Sequence, residues 1–263
     1  MLAVALGALI GLVLVFTGAG GGVLALPLLV FGLHLPVQQA GPVGLFAVGM
    51  AAAVGAAVGL RQGVVRYRAA TLIGIAGMLT APLGVMLAQL LPSRPLLGAF
   101  AGVLAYSAWR MWRQPALPTS TRSAALCQMN AANGRLRWTA RCAVALATTG
   151  LGSGLLSGLL GVGGGFVIVP ALARHTDLDL HMIQATSLAV IAWVSVSGIA
   201  AATLQGSMHW EVALPFGVGA IIAMLAAQRI VGKLKAERLR QAFALVSVLV
   251  ASLMLAKAVG WSL

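Results

Sequence analysis

The sequence predicts an all-α polytopic membrane protein made of two inverted repeats of five helical elements, each repeat containing a glycine-broken hairpin. Its composition, a repeated order of landmarks and the distribution of its basic residues support this prediction. Of the 263 residues, 60% are hydrophobic and 8% are charged, whereas a soluble domain carries about 25% charged residues. So little charge excludes a soluble protein of this length, and also a disordered or collagen-like chain despite the 33 glycines.

The landmarks of the chain occur twice, in the same order. Each copy has a glycine triplet followed five residues later by a proline: Gly20, Gly21, Gly22 and Pro27, then Gly163, Gly164, Gly165 and Pro170. The second triplet lies 143 residues after the first. This order predicts a duplication, with a first transmembrane repeat at 1–113, a linker at 114–139 and a second transmembrane repeat at 140–263.

Each repeat divides into five apolar segments. They are 2–18, 23–33, 40–60, 69–90 and 95–113 in the first repeat, and 142–160, 166–174, 182–204, 211–229 and 239–260 in the second. Most approach the roughly 20 residues that a helix needs to cross a bilayer, but 23–33 and 166–174 are too short. Because each short segment follows a glycine triplet, we expect a hairpin whose short helix returns to the side of entry.

The basic residues favour the hairpins over single crossings. If each glycine-broken region crosses once, the 17 basic residues divide 10 to 7 between the two sides, whereas hairpins divide them 15 to 2. The second division is the one that the positive-inside rule expects, so the net charge of +13 reflects orientation in the bilayer rather than nucleic-acid binding. Five elements per repeat is an odd number, which predicts opposite orientations for the repeats, both termini outside and the 114–139 linker in the cytoplasm.

The glycine triplets are the candidate substrate site. Irregular backbone at membrane depth is tolerated where it packs in protein or lines a cavity, and glycine lets a ligand approach the main chain. A helix restarts after each triplet, near Val23 and Phe166. Its first N–H groups and its dipole bind anions without Lys or Arg, so two such helix starts would hold one small anion. The alternative is that the glycines serve only helix packing.

Polar uncharged side chains within the spans are further candidates. Thr186 and Ser187 open the span after the second hairpin, and Gln39 and Gln184 occupy equivalent places in the two repeats. Each can donate to an anion, or serve only in helix capping and interhelical bonding. We expect Pro27 and Pro170 to shape the site.

Other chemistries find little support in the sequence. The four acids fall at segment ends or in loops, where a Na⁺ or proton relay would place one in mid-span. His175, Asp177, Asp179 and His181 share one loop, which we interpret as a solvated turn, so no metal and no cofactor are predicted. Cys127 and Cys142 lack metal spacing, and we expect two free thiols in or near the linker.

The second glycine region resembles a known family. Residues 157–166, Pro170 and then Ala185-Thr186-Ser187-Leu188 are similar to the second signature of the TauE/SafE sulfite exporters, and 18–27 to the first. The resemblance implies a bacterial inner-membrane permease for small anions, typically sulfite or sulfonates and often an exporter. It also implies that both triplets, both prolines, Thr186 and Ser187 line or shape the site. The first half departs from the pattern, with Gly41-Pro42 in place of Thr-Ser and Leu14-Val15 in place of Ser-Gly.

These observations predict a secondary transporter that moves a small anion, such as sulfite or an organosulfonate, through the bilayer. The substrate and the lipid are the expected partners, and both a monomer and a homo-oligomer are compatible with the sequence. One alternative is an accessory or structural membrane subunit, whose triplets would be packing motifs. Another is a membrane-embedded enzyme acting on lipid, which would need an acid, His or Cys pair at one depth; we find no such pair and predict no enzyme.

Overall fold

The protein is a helical membrane protein in its described residues. The structure is a computed structural model, and it describes residues 1–17, 21–113, 127, 129–130, 135–136, 139–228 and 248–256. Its helices are α1 (Leu2–Thr17), α2 (Ala25–Gly32), α3 (Val37–Arg61), α4 (Tyr67–Leu90), α5 (Ser93–Arg113), α6 (Ala140–Leu160), α7 (Gly165–His175), α8 (Leu180–Leu204) and α9 (Trp210–Gln228). A 3₁₀ turn (Gly21–Leu24) precedes α2, and residues 248–256 are also helical.

The all-α polytopic fold class is confirmed. In the described residues, five helices are long and apolar enough to cross a membrane, namely α3, α4, α6, α8 and residues 210–227 of α9. Large apolar side chains cover their outer surface; Leu79 is 70% exposed and Ile222 is 58% exposed. Such a surface is stable against lipid and not against water. Gly20, most of the 114–139 linker and most of the last predicted segment, 239–260, lie outside the described residues.

Both broken regions fold back on themselves, as the sequence predicts. In the first, Gly21 packs on the backbone of Leu14 near the end of α1, and Gly32 at the end of α2 packs on Leu6 near its beginning. In the second, Gly164 packs on Ser153 of α6. The end of α7 returns toward the first turn of α6, because the Cys127 N–H donates to the His175 carbonyl while its sulfur is bonded to Cys142. Neither short helix therefore completes a crossing.

The main helix pairs each join a helix of the first half to a helix of the second. α4 packs on α6, and α1 packs on α9; the central pair is α3 with α8. In the α4–α6 pair Gly77 meets Gly154 and Ala81 meets Gly158, so these helices run parallel.

The central pair runs in the opposite sense. Gly49 meets Ser195 and Gly59 meets Ala185, so α3 and α8 are antiparallel. Under the predicted duplication α3 and α8 are equivalent, and inverted halves require such equivalents to run in opposite directions. The inverted repeat itself stays a prediction.

The prediction of free thiols is wrong. Cys127 and Cys142 form a disulfide with their Cα atoms 5.3 Å apart, and both residues are buried. Cys127 also forms a bridge with Thr176, the residue after α7. The linker thus returns to the base of the second hairpin, where α6 begins and α7 ends. The separation of 15 residues between the two cysteines in sequence does not reveal this contact. Two short strands of the linker, Met129–Asn130 and Arg135–Leu136, pair antiparallel beside it.

Glycines allow α4 and α6 to approach backbone to backbone. A Cβ on Gly154 would collide with the main chain of Gly77 and lie 2.5 Å from the Thr80 hydroxyl. Gly152, two residues earlier on α6, faces open space. Between lipid-exposed helices there is no hydrophobic driving force, so close packing of this kind supplies much of the association energy.

We predict that Gly154→Ala destabilises the protein by about 1–3 kcal/mol, because the added methyl group must push two backbones apart. Gly152→Ala is the matched control on the same helix; we expect it to leave stability unchanged or to raise it by up to about 1 kcal/mol through helix propensity. Thermal unfolding of the purified variants in detergent measures both. Equal unfolding temperatures for the two variants would contradict the close α4–α6 approach.

Candidate functional site

The two glycine turns meet at the middle of α3. A Cβ on Gly22 would lie 2.5 Å from the Val162 carbonyl oxygen of the second turn and 3.0 Å from Cγ1 of Val48. A Cβ on Gly163 would lie 3.1 Å from the same Val48 methyl group and 2.8 Å from Cγ2 of Ile191 on α8. Val48 lies near the centre of the 25-residue α3, so the turns of both halves come together near half the depth of the bundle.

The second turn requires glycine for its backbone conformation. Gly161, Gly163 and Gly164 have φ values of +67°, +80° and +69°, in the left-handed region. Each such residue costs about 1–2 kcal/mol when it carries a side chain. Gly161 ends α6 as its C-cap, with its N–H bonded to the Ser157 carbonyl, and Gly164 is the N-cap of α7. Within five residues the chain thus ends one helix and begins another.

The first turn requires glycine for close approach instead. Gly21 and Gly22 belong to the buried 3₁₀ turn Gly21–Leu24 and do not have positive φ. A Cβ on Gly21 would lie 2.5 Å from the amide nitrogen of Leu14, and one on Gly22 would press on Val162. The two triplets therefore match in sequence and in position, but different constraints select glycine in each.

Each short helix begins at a glycine turn. In α7 the first helical bonds are donated by Val167 and Ile168 to the Gly164 carbonyl, so the N–H groups of Gly165 and Phe166 precede the ladder. Such N–H groups and the helix dipole form an electropositive end within the protein.

The two prolines have different effects on the short helices. Pro170 lies inside α7, and because proline has no N–H it leaves the Phe166 carbonyl without its helical donor. Pro27 is in the first turn of α2, where an N–H has no partner within the helix, so it breaks no helical hydrogen bond.

The predicted polar side chains lie away from the meeting point. Gln39 and Gln184 are half-buried near the starts of α3 and α8. Nine residues of helix separate Gln39 from Val48, which is about 13 Å along the axis. The buried Thr186 accepts a hydrogen bond from the Arg66 N–H at 3.1 Å and so caps the start of α4. Ser187 donates to the Gln184 carbonyl at 2.7 Å, one helical turn before Ile191.

Two further serines adjoin the turns, and the sequence reasoning did not select them. Ser157 on α6 is 0% exposed and Ser195 on α8 is 1% exposed, and neither hydroxyl has a hydrogen-bond partner. Leaving a buried hydroxyl unpaired costs about 1–3 kcal/mol. Ser157 is the first residue of the 157–166 motif, so the motif could have identified it as a candidate. Nothing in the sequence distinguishes Ser195 from other helical serines.

The meeting point is uncharged, and backbone groups provide its polar atoms. The atoms nearest to Gly22 and Gly163 belong to the Val162 backbone, Val48 and Ile191. Asp177 and Asp179 precede α8, and Glu211 lies in the first turn of α9. In the parts of the chain that the structure describes, no group of three or more His, Cys, Asp or Glu side chains is placed to hold a metal ion. Electropositive helix ends without acids suit an anion.

Broken helices that meet at mid-depth between two halves of a helical bundle are the arrangement of a membrane transporter. The model of one family, described as sulfite exporter TauE/SafE, matches residues 3–254. The chain belongs to the TauE/SafE sulfite exporter family and is a multi-pass membrane transporter. The predicted family is thereby confirmed.

Two relatives from Xylella fastidiosa cover most of the chain, and a third relative covers less than half of it. A probable membrane transporter protein of Xylella fastidiosa strain Temecula1 is 28% identical over 254 residues, which is 93% of this chain and 90% of the relative. A probable membrane transporter protein of strain 9a5c is 30% identical over 223 residues, 82% of this chain and 78% of the relative. The probable membrane transporter protein MamO of Paramagnetospirillum magneticum is 32% identical over 117 residues, 41% of this chain and 18% of MamO. No solved structure matches.

We predict that Gly163→Ala costs more stability than Gly206→Ala. Both positions have left-handed φ, but Gly206 faces open space while a methyl group at Gly163 would press on Val48 and Ile191. The control should lose about 1–2 kcal/mol from backbone strain alone, and Gly163→Ala about 1–3 kcal/mol more from overpacking. In the Gly163→Ala background, Ile191→Ala should cost less than it does in the wild type. Equal losses for the two glycine variants would show that the turn is not packed against α8.

Proposed function

We propose that this transporter exports a small oxyanion of the sulfite or organosulfonate class across the bacterial inner membrane. The observation that carries the proposal is the contact of the two glycine turns with each other and with Val48 at the middle of α3. In this proposal the substrate-binding groups are the backbone N–H groups of both turns. They belong to Gly20, Gly21, Gly22 and Val23, and to Gly163, Gly164, Gly165 and Phe166.

The chemistry of the turns supports an anion as substrate. A helix start presents N–H donors and about half a positive charge from its dipole, which stabilises a negative ligand without a neutralising base. In a low-dielectric interior this interaction is stronger than in water. A cation would meet the wrong end of both short helices, and no acid approaches the turns among the described residues.

The packing suggests how the site would open to each side in turn. The glycine-packed pairs α4–α6 and α1–α9 flank the antiparallel pair α3–α8, which carries Val48 and Ile191. In the proposed mechanism one flanking pair with its hairpin tilts against the other, while the anion stays between the turns. Residues 1–113 and 140–263 form the two repeats, and 114–139 the linker between them.

Thr186, Ser187, Gln39 and Gln184 have a supporting role in this proposal. Thr186 holds the start of α4 through the Arg66 N–H, and Ser187 lies one helical turn from Ile191. The choice of sulfur oxyanions and of export follows the description of the family as sulfite exporters. No enzymatic reaction belongs to the proposal.

The anion site is tested by thermal unfolding of the purified full-length protein against sulfite, sulfate, thiosulfate, sulfoacetate and simple carboxylates. We expect at least one sulfur oxyanion to raise the unfolding temperature, because it binds the folded state alone. Gly22→Val should abolish that shift, since its side chain would press on the Val162 carbonyl and Val48 and so push the two turns apart. Gly98→Val, whose position faces open space, is the control. A wild type that responds to no anion would refute the proposal.

The orientation of the chain is a separate part of the proposal. We propose that both termini face the periplasm and that the 114–139 linker faces the cytoplasm, because this orientation puts 15 of the 17 basic residues inside. In this proposed orientation the Cys127–Cys142 disulfide would lie on the cytoplasmic side. Because the cytoplasm keeps thiols reduced, we propose that the pair is a dithiol in the growing cell and closes under oxidation.

Thiol labelling tests this orientation. In intact spheroplasts a membrane-impermeant maleimide should leave Cys127 and Cys142 unlabelled, with or without an impermeant reductant, whereas a permeant maleimide should label both. Oxidation with a permeant oxidant before labelling should block the reaction of both thiols together. Labelling by the impermeant reagent that appears only after reduction would place the disulfide outside the cytoplasm and overturn the orientation.

A further inference from the structure

We infer that Ser157 and Ser195 are side-chain donors to the transported anion. Together with the backbone N–H groups they make a site of neutral donors for a small oxyanion. This inference rests on the proposed function and deepens it, because it assigns the side chains that give the site its selectivity.

The two hydroxyls differ from the other buried hydroxyls of the described residues. Ser153, Thr176 and Ser187 each donate to a carbonyl of their own helix, and Thr186 accepts from the Arg66 N–H. Ser157 and Ser195 are as deeply buried, yet neither has a partner. The hydroxyl of a helical serine ordinarily donates a hydrogen bond to a backbone carbonyl of the preceding turn. Two exceptions near one point indicate hydroxyls reserved for a ligand.

Ser195 lies beside the second turn on α8. Ile191, which touches Gly163, precedes it by one helical turn on the same face. Its Oγ would lie 2.7 Å from a Cβ at Gly49, the residue that follows Val48 on α3. The hydroxyl is therefore directed into the α3–α8 contact next to the meeting point, and the missing side chain at Gly49 makes room for it.

Ser157 lies on the other side of the same turn. Ser157 is one helical turn beyond Ser153, whose backbone and Cβ pack on Gly164. It is also one turn before Gly161, whose N–H donates to the Ser157 backbone carbonyl. This places Ser157 on the α6 face that adjoins the turn. Ser157 and Ser195 therefore lie on two different helices that both contact the turn, through Ser153 and Ile191 respectively.

The two halves contribute unequally to this site. The residue 143 positions before Ser157 is Leu14, which is fully buried and apolar. At this position the first half therefore offers no hydroxyl to the anion, whereas the second half does. Neutral donors without a neighbouring acid match oxyanions that present several acceptor oxygens and carry their own charge. Among small anions this favours sulfur oxyanions over halides, which offer no oxygen to align with two separate hydroxyls.

The test compares Ser157→Ala and Ser195→Ala with matched controls in the full-length protein. Ser153→Ala and Ser197→Ala remove hydroxyls from the same two helices, but these hydroxyls are bonded to the carbonyls of Gly150 and Val194. The probe is the strongest binder among sulfite, sulfate, thiosulfate and sulfoacetate. We expect its Kd to rise about tenfold in each test variant and by less than about twofold in the controls.

A second readout separates binding from folding. Without anion, the unfolding temperatures of Ser157→Ala and Ser195→Ala should equal or exceed that of the wild type, because an unpaired buried hydroxyl is removed. If the wild type binds the probe and Gly22→Val does not, but both serine variants bind it with unchanged Kd, the serine assignment is overturned and the proposed function stands. If the wild type binds none of the four anions, both are overturned.

Discussion

Close approach of backbone to backbone at glycine is the constraint on which this structure depends. Between apolar helices in lipid, water drives no association, so contact distance decides how strongly two helices bind each other. Gly154 against Gly77 brings α4 onto α6, and Gly22 against Val162 brings one hairpin turn onto the other. A side chain at Gly154, Gly77 or Gly22 would separate these elements. Val162 contributes its carbonyl oxygen to the contact. The bundle and its centre are therefore built by the same device.

The same constraint gives the centre of the molecule its chemistry. Where side chains are absent, the main chain itself forms the surface, and at the start of α7 that surface consists of N–H groups outside the helical ladder. The unpaired hydroxyls of Ser157 and Ser195 adjoin it. Unpaired buried donors oppose folding by about 1–3 kcal/mol each, so their concentration at one place is the expected mark of a site whose ligand completes the hydrogen bonds. No base is needed there, which leaves the basic residues free to set orientation.

The base of the second hairpin adds a different kind of constraint. Cys127 touches the end of α7 through His175 and the start of α6 through Cys142, so one linker residue ties both arms of this hairpin. The glycine turn connects the same two arms at their other end. Any movement of α7 relative to α6 therefore works against this tie when the disulfide is closed, and is less restricted when it is open.

The amino-acid sequence by itself determined the fold class, the helices and the pairing of glycine turns, because apolar length and glycine are local properties. The predicted segments 69–90 and 182–204 differ from α4 and α8 by two residues at their starts. Only the tertiary structure decided which polar groups adjoin the turns. Thr186 and Ser195 look alike in sequence, yet one caps α4 and the other has no partner. The disulfide was also hidden, because spatial proximity of Cys127 and Cys142 depends on where the linker returns. Long-range contacts of this kind have no local signature, which is why the sequence predicts where the glycine turns lie but not which polar side chains adjoin them.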